Sequence, residues 1–249
     1  MRVLVAIPTF NEEATIDAVI PRVLRHARDV LVIDDGSTDA TPTHLARHAV
    51  RVIRHESNRG YGAALLEAFR DAADRGFDWV ITMDCDEQHE PDALPTFFDA
   101  IQRDDCDVIS GSRYLEPTPL DDQPPANRRA INAQLTRELN DRFGESLGFR
   151  MTDAFCGFKA YRVATLEGLR LTEHGYAFPL QFWVQAVAAR LRMREVPVRL
   201  IYLDQSRSFG GPLDDDDVRL DHYRGVLCAE LERCAARLPT GATTDCAGW

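Results

Sequence analysis

The sequence is nearly devoid of lysine: Lys159 is the only one, and the other basic residues are arginines. We read this as a compositional bias without functional content. No run approaches the roughly 18 apolar residues of a membrane span. The start, Met1-Arg2-Val3-Leu4-Val5-Ala6-Ile7-Pro8, is too short for a signal peptide and lacks a small-residue cleavage site. It reads as a first strand. The six cysteines show no C-x-x-C pair and no disulfide-scaffold spacing, which predicts reduced, structural thiols in a cytoplasm. Positive charge is in deficit, with 40 acidic against 29 basic residues and a formal net charge of -11. Such a surface repels phosphate backbones and excludes a general nucleic-acid binder. Nucleotide binding through a metal stays open, because a divalent cation wants carboxylates. A G-x-G-x-x-G run is missing after the first strand, which excludes a Rossmann dehydrogenase.

What is present suits one large domain: 249 residues, of which 45% are hydrophobic, can bury a real core. Apolar runs at 3–7, 30–33, 50–53, 79–83 and from 108 read as strands. Helical patterns fill 12–26 (with Asn11 as N-cap), 41–48, 60–75 and 91–103. Strict alternation with near-continuous apolar strands predicts an α/β fold, a parallel sheet with helices on both faces. A proline-rich loop at 116–127 breaks the pattern, followed by a helix at 128–143. Strands at 158–163 and 196–202 then flank a helix at 179–191. Gly210-Gly211-Pro212 precedes a last helix at 214–238, and the end from 239 is expected to fray. Residues 1–212 read as the domain, and 213–249 as a helix and tail packed on it.

Ligands of an open parallel sheet bind outside the carboxyl ends of its strands. The first four strands are followed by Pro8-Thr9-Phe10-Asn11-Glu12-Glu13, Asp34-Asp35-Gly36-Ser37-Thr38-Asp39, Asn58-Arg59-Gly60-Tyr61-Gly62 and Asp84-Cys85-Asp86-Glu87-Gln88-His89. All four polar clusters fall on one edge. Asp84 and Asp86, one residue apart, can aim oxygens at one point where Mg2+ or Mn2+ bridges them to a phosphate. An Asx-turn in a solvated loop explains them equally well. Asp34 to Thr38 also suits a turn and helix cap, and the Gly60-x-Gly62 pair suits close packing better than phosphate cradling. Asp214 to Asp217 fit the positive end of a helix dipole better than a cation site. Phe178, Phe182 and Trp183, at helical spacing, suit core packing.

These clusters, with Gly111-Ser112-Arg113-Tyr114, resemble in order and spacing the family 2 glycosyltransferases of GT-A fold. Within that family they resemble the polyprenyl-phosphate (dolichyl-phosphate) mannosyl- and glucosyltransferases. Thr152-Asp153-Ala154-Phe155-Cys156-Gly157-Phe158-Lys159-Ala160-Tyr161-Arg162 is similar to the D-x-x-S-G-F-R-x-x-R segment of those enzymes. The resemblance implies a GT-A, Rossmann-like, mixed and mostly parallel sheet. It implies a nucleotide-sugar site at Pro8, Phe10, Glu12, Asp35, Asp84 and Gln88, and a metal, Mg2+ or Mn2+, at Asp84 and Asp86. Arg113, with Arg128 or Arg129, would meet donor or acceptor phosphate. Cys156 replaces a usual serine, Lys159 a usual arginine, and Phe209 stands where a later loop usually carries lysine. Arg207 is the candidate replacement for that charge.

The implied activity is inverting transfer of a hexose from a GDP-mannose- or UDP-glucose-type donor to a polyprenyl phosphate. A phosphate acceptor is already an anionic nucleophile, whereas a hydroxyl acceptor needs a carboxylate base such as Asp153. Asp153 is also open to reading as an acceptor-site organiser or a plain cap. A soluble hydroxyl acceptor and a non-catalytic nucleotide-sugar-binding subunit are the alternatives. A sugar-1-phosphate nucleotidyltransferase is disfavoured, since no G-x-G-T-R-x-x-P run is present. The expected location is cytoplasmic, with peripheral contact at the inner face of the membrane left open.

Overall fold

The computed structural model describes residues 1–203 and 208–246. Its centre is a seven-stranded sheet ordered β3-β2-β1-β4-β6-β5-β7. The strands are β1 (Val3–Thr9), β2 (Val30–Asp34), β3 (Arg51–Arg54), β4 (Trp79–Thr82), β5 (Val108–Ser112), β6 (Lys159–Arg162) and β7 (Met193–Pro197). All neighbouring pairs run parallel except those of β6, which is antiparallel to both β4 and β5. The mixed, mostly parallel sheet expected from the sequence is therefore the one found.

Alternate side chains on a strand face opposite sides, and here both sides are buried. Leu4, Ala6, Leu31, Ile33 and Val80 join one apolar cluster, while Val5, Ile7, Val32, Trp79 and Ile81 join the other. Helices α1 (Ile16–Leu24) and α4 (Leu94–Gln102) cover the second cluster. The first is covered by α3 (Tyr61–Asp74), α5 (Ala126–Phe143), α7 (Phe178–Ala188) and α8 (Asp216–Cys234). Two short helices, α2 (Thr41–Leu45) and α6 (Val163–Leu166), complete the fold. Phe178, Phe182 and Trp183 are core residues, as their spacing implied.

Five expectations need correction. Helix α1 begins at Ile16 and not near Glu12. Asn11 does not cap it: its backbone is left-handed (φ 55°) and its side-chain oxygen accepts the Thr38 amide at 2.8 Å, tying the loop after β1 to the loop after β2. The last strand runs Met193–Pro197, pairing with β5 from Val108, and not 196–202. Beyond Pro197 the chain leaves the sheet, and the Leu200 and Tyr202 amides donate to Asp121 and Asp122 of the proline-rich loop.

The cysteines are not all free, since Cys228 of α8 is bonded to Cys246 across 18 residues. Nor does the stretch 239–246 fray, because Ala242 and Cys246 are buried and Arg142 donates to the carbonyls of Ala242 and Thr244. The expectation for 247–249 lies outside the described residues. Sequence spacing could not show this pairing, which depends on the tail folding back over α5 and α8.

Candidate active site

The strand ends singled out by the sequence open onto one cleft of about 540 Å³. Pro8, Phe10 and Glu12 reach it from the end of β1, Asp35 from β2, Asp84, Asp86 and Gln88 from β4, and Arg113 from β5. Asp153 does not line the cleft, and Arg207 lies outside the described residues.

Asp35 is buried and its carboxylate is heavily engaged: it accepts the Arg59 amide at 2.9 Å and the Gly60 amide at 2.8 Å, and pairs with the His55 ring at 2.6 Å. That arrangement fixes the loop from β3 to α3 beside the loop after β2. The two glycines of that loop serve close approach: a side chain at Gly60 or Gly62 would strike the backbone of residues 173–174, to which the Gly62 amide donates at 2.7 Å. Close packing, not phosphate cradling, explains them.

After β4 an Asx-turn and a cleft-lining position coexist. Asp86 Oδ1 accepts the Gln88 amide at 3.1 Å while Asp86 still lines the cleft. His89 is buried behind the loop, and burial pushes its imidazole down to about 4, so it is neutral at pH 7. Its Nδ1 accepts the Asp84 amide at 2.8 Å, which holds that residue in place. Gly157 lies against the same carboxylate: a Cβ there would stand 2.6 Å from the Tyr61 hydroxyl and 2.9 Å from Asp84 Oδ2. Burial, and then the charge of Asp84, raises the Tyr61 phenol well above its ordinary range.

Asp153 is fully buried. Its carboxylate accepts Arg113 Nε at 2.7 Å, Arg113 Nη2 at 2.9 Å and Asn132 Nδ2 at 2.8 Å. Burial alone would raise this carboxyl, but the Arg113 guanidinium and these donors overcome it and hold it at about 2. Asp153 Oδ1 also accepts the Phe155 amide at 3.2 Å, so of the three readings open from the sequence the loop cap holds beside the organiser of Arg113. Glu195 of β7 fixes the loop in turn, accepting the Thr152 amide at 2.9 Å and the Asp153 amide at 3.0 Å.

Sequence reasoning missed part of the lining. Asn132, Tyr176, Tyr202, Arg219 and Tyr223 all reach the cleft. Arg219 sits in the first turns of α8 behind Asp214 to Asp217, a stretch whose only visible signal was helix capping. Asp215 does cap α8, accepting the amides of Asp217 and Val218. Phe209 occupies the cleft with guanidinium groups over its ring, Arg128 at 4.4 Å and Arg219 at 4.7 Å from the centroid. Arg129 lies 3.7 Å over the Tyr114 ring. Lys159, by contrast, is buried beneath the site and donates to the Cys156 carbonyl, so its replacement of arginine leaves the cleft lining untouched.

The fold is that of the GT-A glycosyltransferases. Glucosyl-3-phosphoglycerate synthase from Mycobacterium tuberculosis, solved with Mn2+, UDP-glucose and phosphoglyceric acid, superposes with a TM-score of 0.68. That match covers 96% of this chain and 81% of that one at 21% identity. The family model for glycosyl transferase family 2 matches residues 4–169. An undecaprenyl-phosphate mannosyltransferase of Micrococcus luteus is 32% identical over 96% of this chain and 99% of its own length. A polyprenol monophosphomannose synthase of Mycolicibacterium smegmatis is 32% identical over 79% of this chain and 76% of its own. The chain belongs to the family 2 glycosyltransferases, and it is a glycosyltransferase.

Proposed function

We propose that this enzyme transfers a hexose from a nucleotide-diphosphate sugar, of the GDP-mannose or UDP-glucose type, to a polyprenyl phosphate. The observation that carries this reading is a division of charge within one cleft. Its carboxylates, Glu12, Asp35, Asp84 and Asp86, all come from the ends of β1, β2 and β4. Its arginines, Arg113, Arg128, Arg129 and Arg219, come from β5, α5 and α8. A donor diphosphate with a cation suits the first group, and an anionic acceptor suits the second. A hydroxyl acceptor is less well served, because Asp153 is locked to Arg113 away from the lining.

The residues present fit Mg2+ or Mn2+. Such ions are commonly held by one or two carboxylates plus substrate phosphates, with no all-protein cage. Asp84 and Asp86 are that pair, and Gly157 leaves room beside Asp84 that any side chain would fill. When bound, the ion would neutralise charge on the departing diphosphate. The protein's own share is positional. Arg113, oriented by Asp153, presents a fixed positive charge to phosphate oxygens. Phe10, Asp35 and Asn58 border the space for base and ribose. The bond from the anomeric carbon to the diphosphate oxygen breaks as a bond to an acceptor phosphate oxygen forms on the opposite face, inverting the configuration. The nucleoside diphosphate leaves with the bonding pair.

The test is turnover of radiolabelled GDP-mannose and UDP-glucose with a prenyl phosphate, and separately with the matching prenol. Product from the phosphate alone supports the reading. Product from the prenol, or from neither, rejects it.

A further inference from the structure

Eight large apolar side chains are exposed among the described residues; two of them line the cleft, and four more lie on segments that border it in the chain. Phe10 and Tyr176 line it. Leu115, Leu203 and Val218 each follow or precede a lining residue: Tyr114, Tyr202 and Arg219. Leu120 is 71% and Leu203 66% exposed, the two largest values of the group. Leu120 sits on the segment strapped to the stretch before Leu203: Arg199 donates to the Leu120 carbonyl at 3.0 Å, and Asp122 both donates to and accepts from residues 200–202. A soluble surface normally scatters such side chains, and a cluster of them marks an interaction site.

Resting on the acceptor assignment above, we infer that Leu115, Leu120 and Leu203 form a rim that enters the interfacial region of a lipid bilayer, so that the cleft opens against the membrane. The arrangement is arginine inside and leucine outside. That order complements an amphiphile whose phosphate must rise into the cleft while its chain stays in lipid. Separate projecting leucines suit entry among acyl chains better than they suit wrapping a single prenyl chain. Three of the nearby acids engage their carboxylate oxygens on the protein itself. Asp121 is occupied by the Thr118 and Leu200 amides, Asp122 by the Tyr202 amide, and Asp214 by Ser208 and the Phe209 amide. The rim does not depend on attraction to anionic lipid, which a chain of net charge -11 would not provide. Among the described residues no helix is long and apolar enough to cross a membrane, so contact from this side falls to surface features.

Flotation of the full chain with neutral phosphatidylcholine vesicles tests the inference. The wild type is expected to float with them in low and high salt alike. Leu120→Asp/Leu203→Asp, at exposed loop positions, is expected to keep the wild-type melting temperature and lose about tenfold or more of the bound fraction. A second arm separates this from the acceptor assignment. With a short, water-soluble prenyl phosphate the double variant should match wild type, and with a long-chain polyprenyl phosphate in vesicles it should fall behind. Wild type that ignores neutral vesicles, a variant that binds them equally, or binding abolished by salt overturns the rim. So does a wild-type dimer that the variant dissociates, which would assign the leucines to a second copy. Failure of both proteins on the soluble phosphate overturns the acceptor assignment, while the vesicle arm still decides the rim.

Discussion

Arg113 grips the carboxylate of Asp153 in a two-pronged contact, Nε to Oδ2 at 2.7 Å and Nη2 to Oδ1 at 2.9 Å, with the carboxylate fully buried. A planar guanidinium held this way cannot swing, so its outer face stays aimed at the cleft. Asp153→Asn would leave a buried cation uncompensated. We expect it to destabilise the fold by about 3–5 kcal/mol and to lower kcat more than the donor KM. Arg113→Lys should keep more stability than Asp153→Asn, yet lose about 100-fold in kcat/KM, because an ammonium cannot reproduce the fork. Urea unfolding beside steady-state kinetics checks both. An Asp153→Asn enzyme with full activity would remove Asp153 from the site altogether.

The same pair predicts a pH signature. The folded carboxyl lies at about 2, below its ordinary value of 3.8. A depressed acid stabilises the native state fully above its unfolded value and loses that contribution as pH falls toward the folded one. The stability difference between wild type and Asp153→Asn should therefore be constant above about pH 4 and shrink between about pH 4 and pH 2. Urea midpoints measured across that range read it directly. A difference that instead changes around pH 6 would show that Asp153 is not held down by Arg113.

Gly157 offers a test confined to the carboxylate end. Its substitution by alanine would place a methyl group 2.6 Å from the Tyr61 hydroxyl and 2.9 Å from Asp84 Oδ2. Both neighbours are side-chain ends, so the fold should survive while Asp84 is displaced. We expect the donor KM to rise about tenfold, near 1.4 kcal/mol, with a small change in melting temperature. Tyr61→Phe in the same chain removes the closest clash and should restore part of the loss. No change in KM for Gly157→Ala would mean that Asp84 does not touch the donor.

How far the sequence reached follows from what was local. Asp84, Asp86 and Asp35 were legible because a parallel sheet places every strand end on one edge, whatever the loops do. Arg219 was not, because its approach depends on α8 packing against α7, a contact between segments with no shared motif. Asn11 misled for a related reason. Asparagine before an apolar periodic run is an ordinary cap signal, but the neighbouring loop supplied Thr38 as a competing donor. Lys159 and Phe209 looked like damage to an anion site. Only the structure shows one beneath the cleft and the other between two guanidinium groups.

The disulfide is a stability device away from the chemistry. Cys228 and Cys246 close a loop of 18 residues, for which the chain-entropy relation gives about 3 kcal/mol. Cys246→Ser should lower the urea midpoint in oxidising buffer and match wild type once reductant is added. Its kcat should be unchanged, since neither cysteine lines the cleft. Equal midpoints in oxidising buffer would mean that the bond does not form in solution.

Whether nucleotide binding needs a divalent ion is the most direct test of the carboxylate pair. A ligand that binds only the folded state stabilises it by about 2.7 kcal/mol at a hundredfold excess over its Kd. GDP and UDP should each be screened by thermal shift with and without Mn2+. One of them should raise the melting temperature only when the ion is present, because two carboxylates facing a diphosphate repel it unless a cation intervenes. In Asp86→Ala that ion-dependent gain should vanish, while Asp153→Asn should keep it from a lower baseline. A nucleotide shift of equal size without any divalent ion would place the diphosphate on the arginines instead, and Asp84 and Asp86 would lose their assigned role.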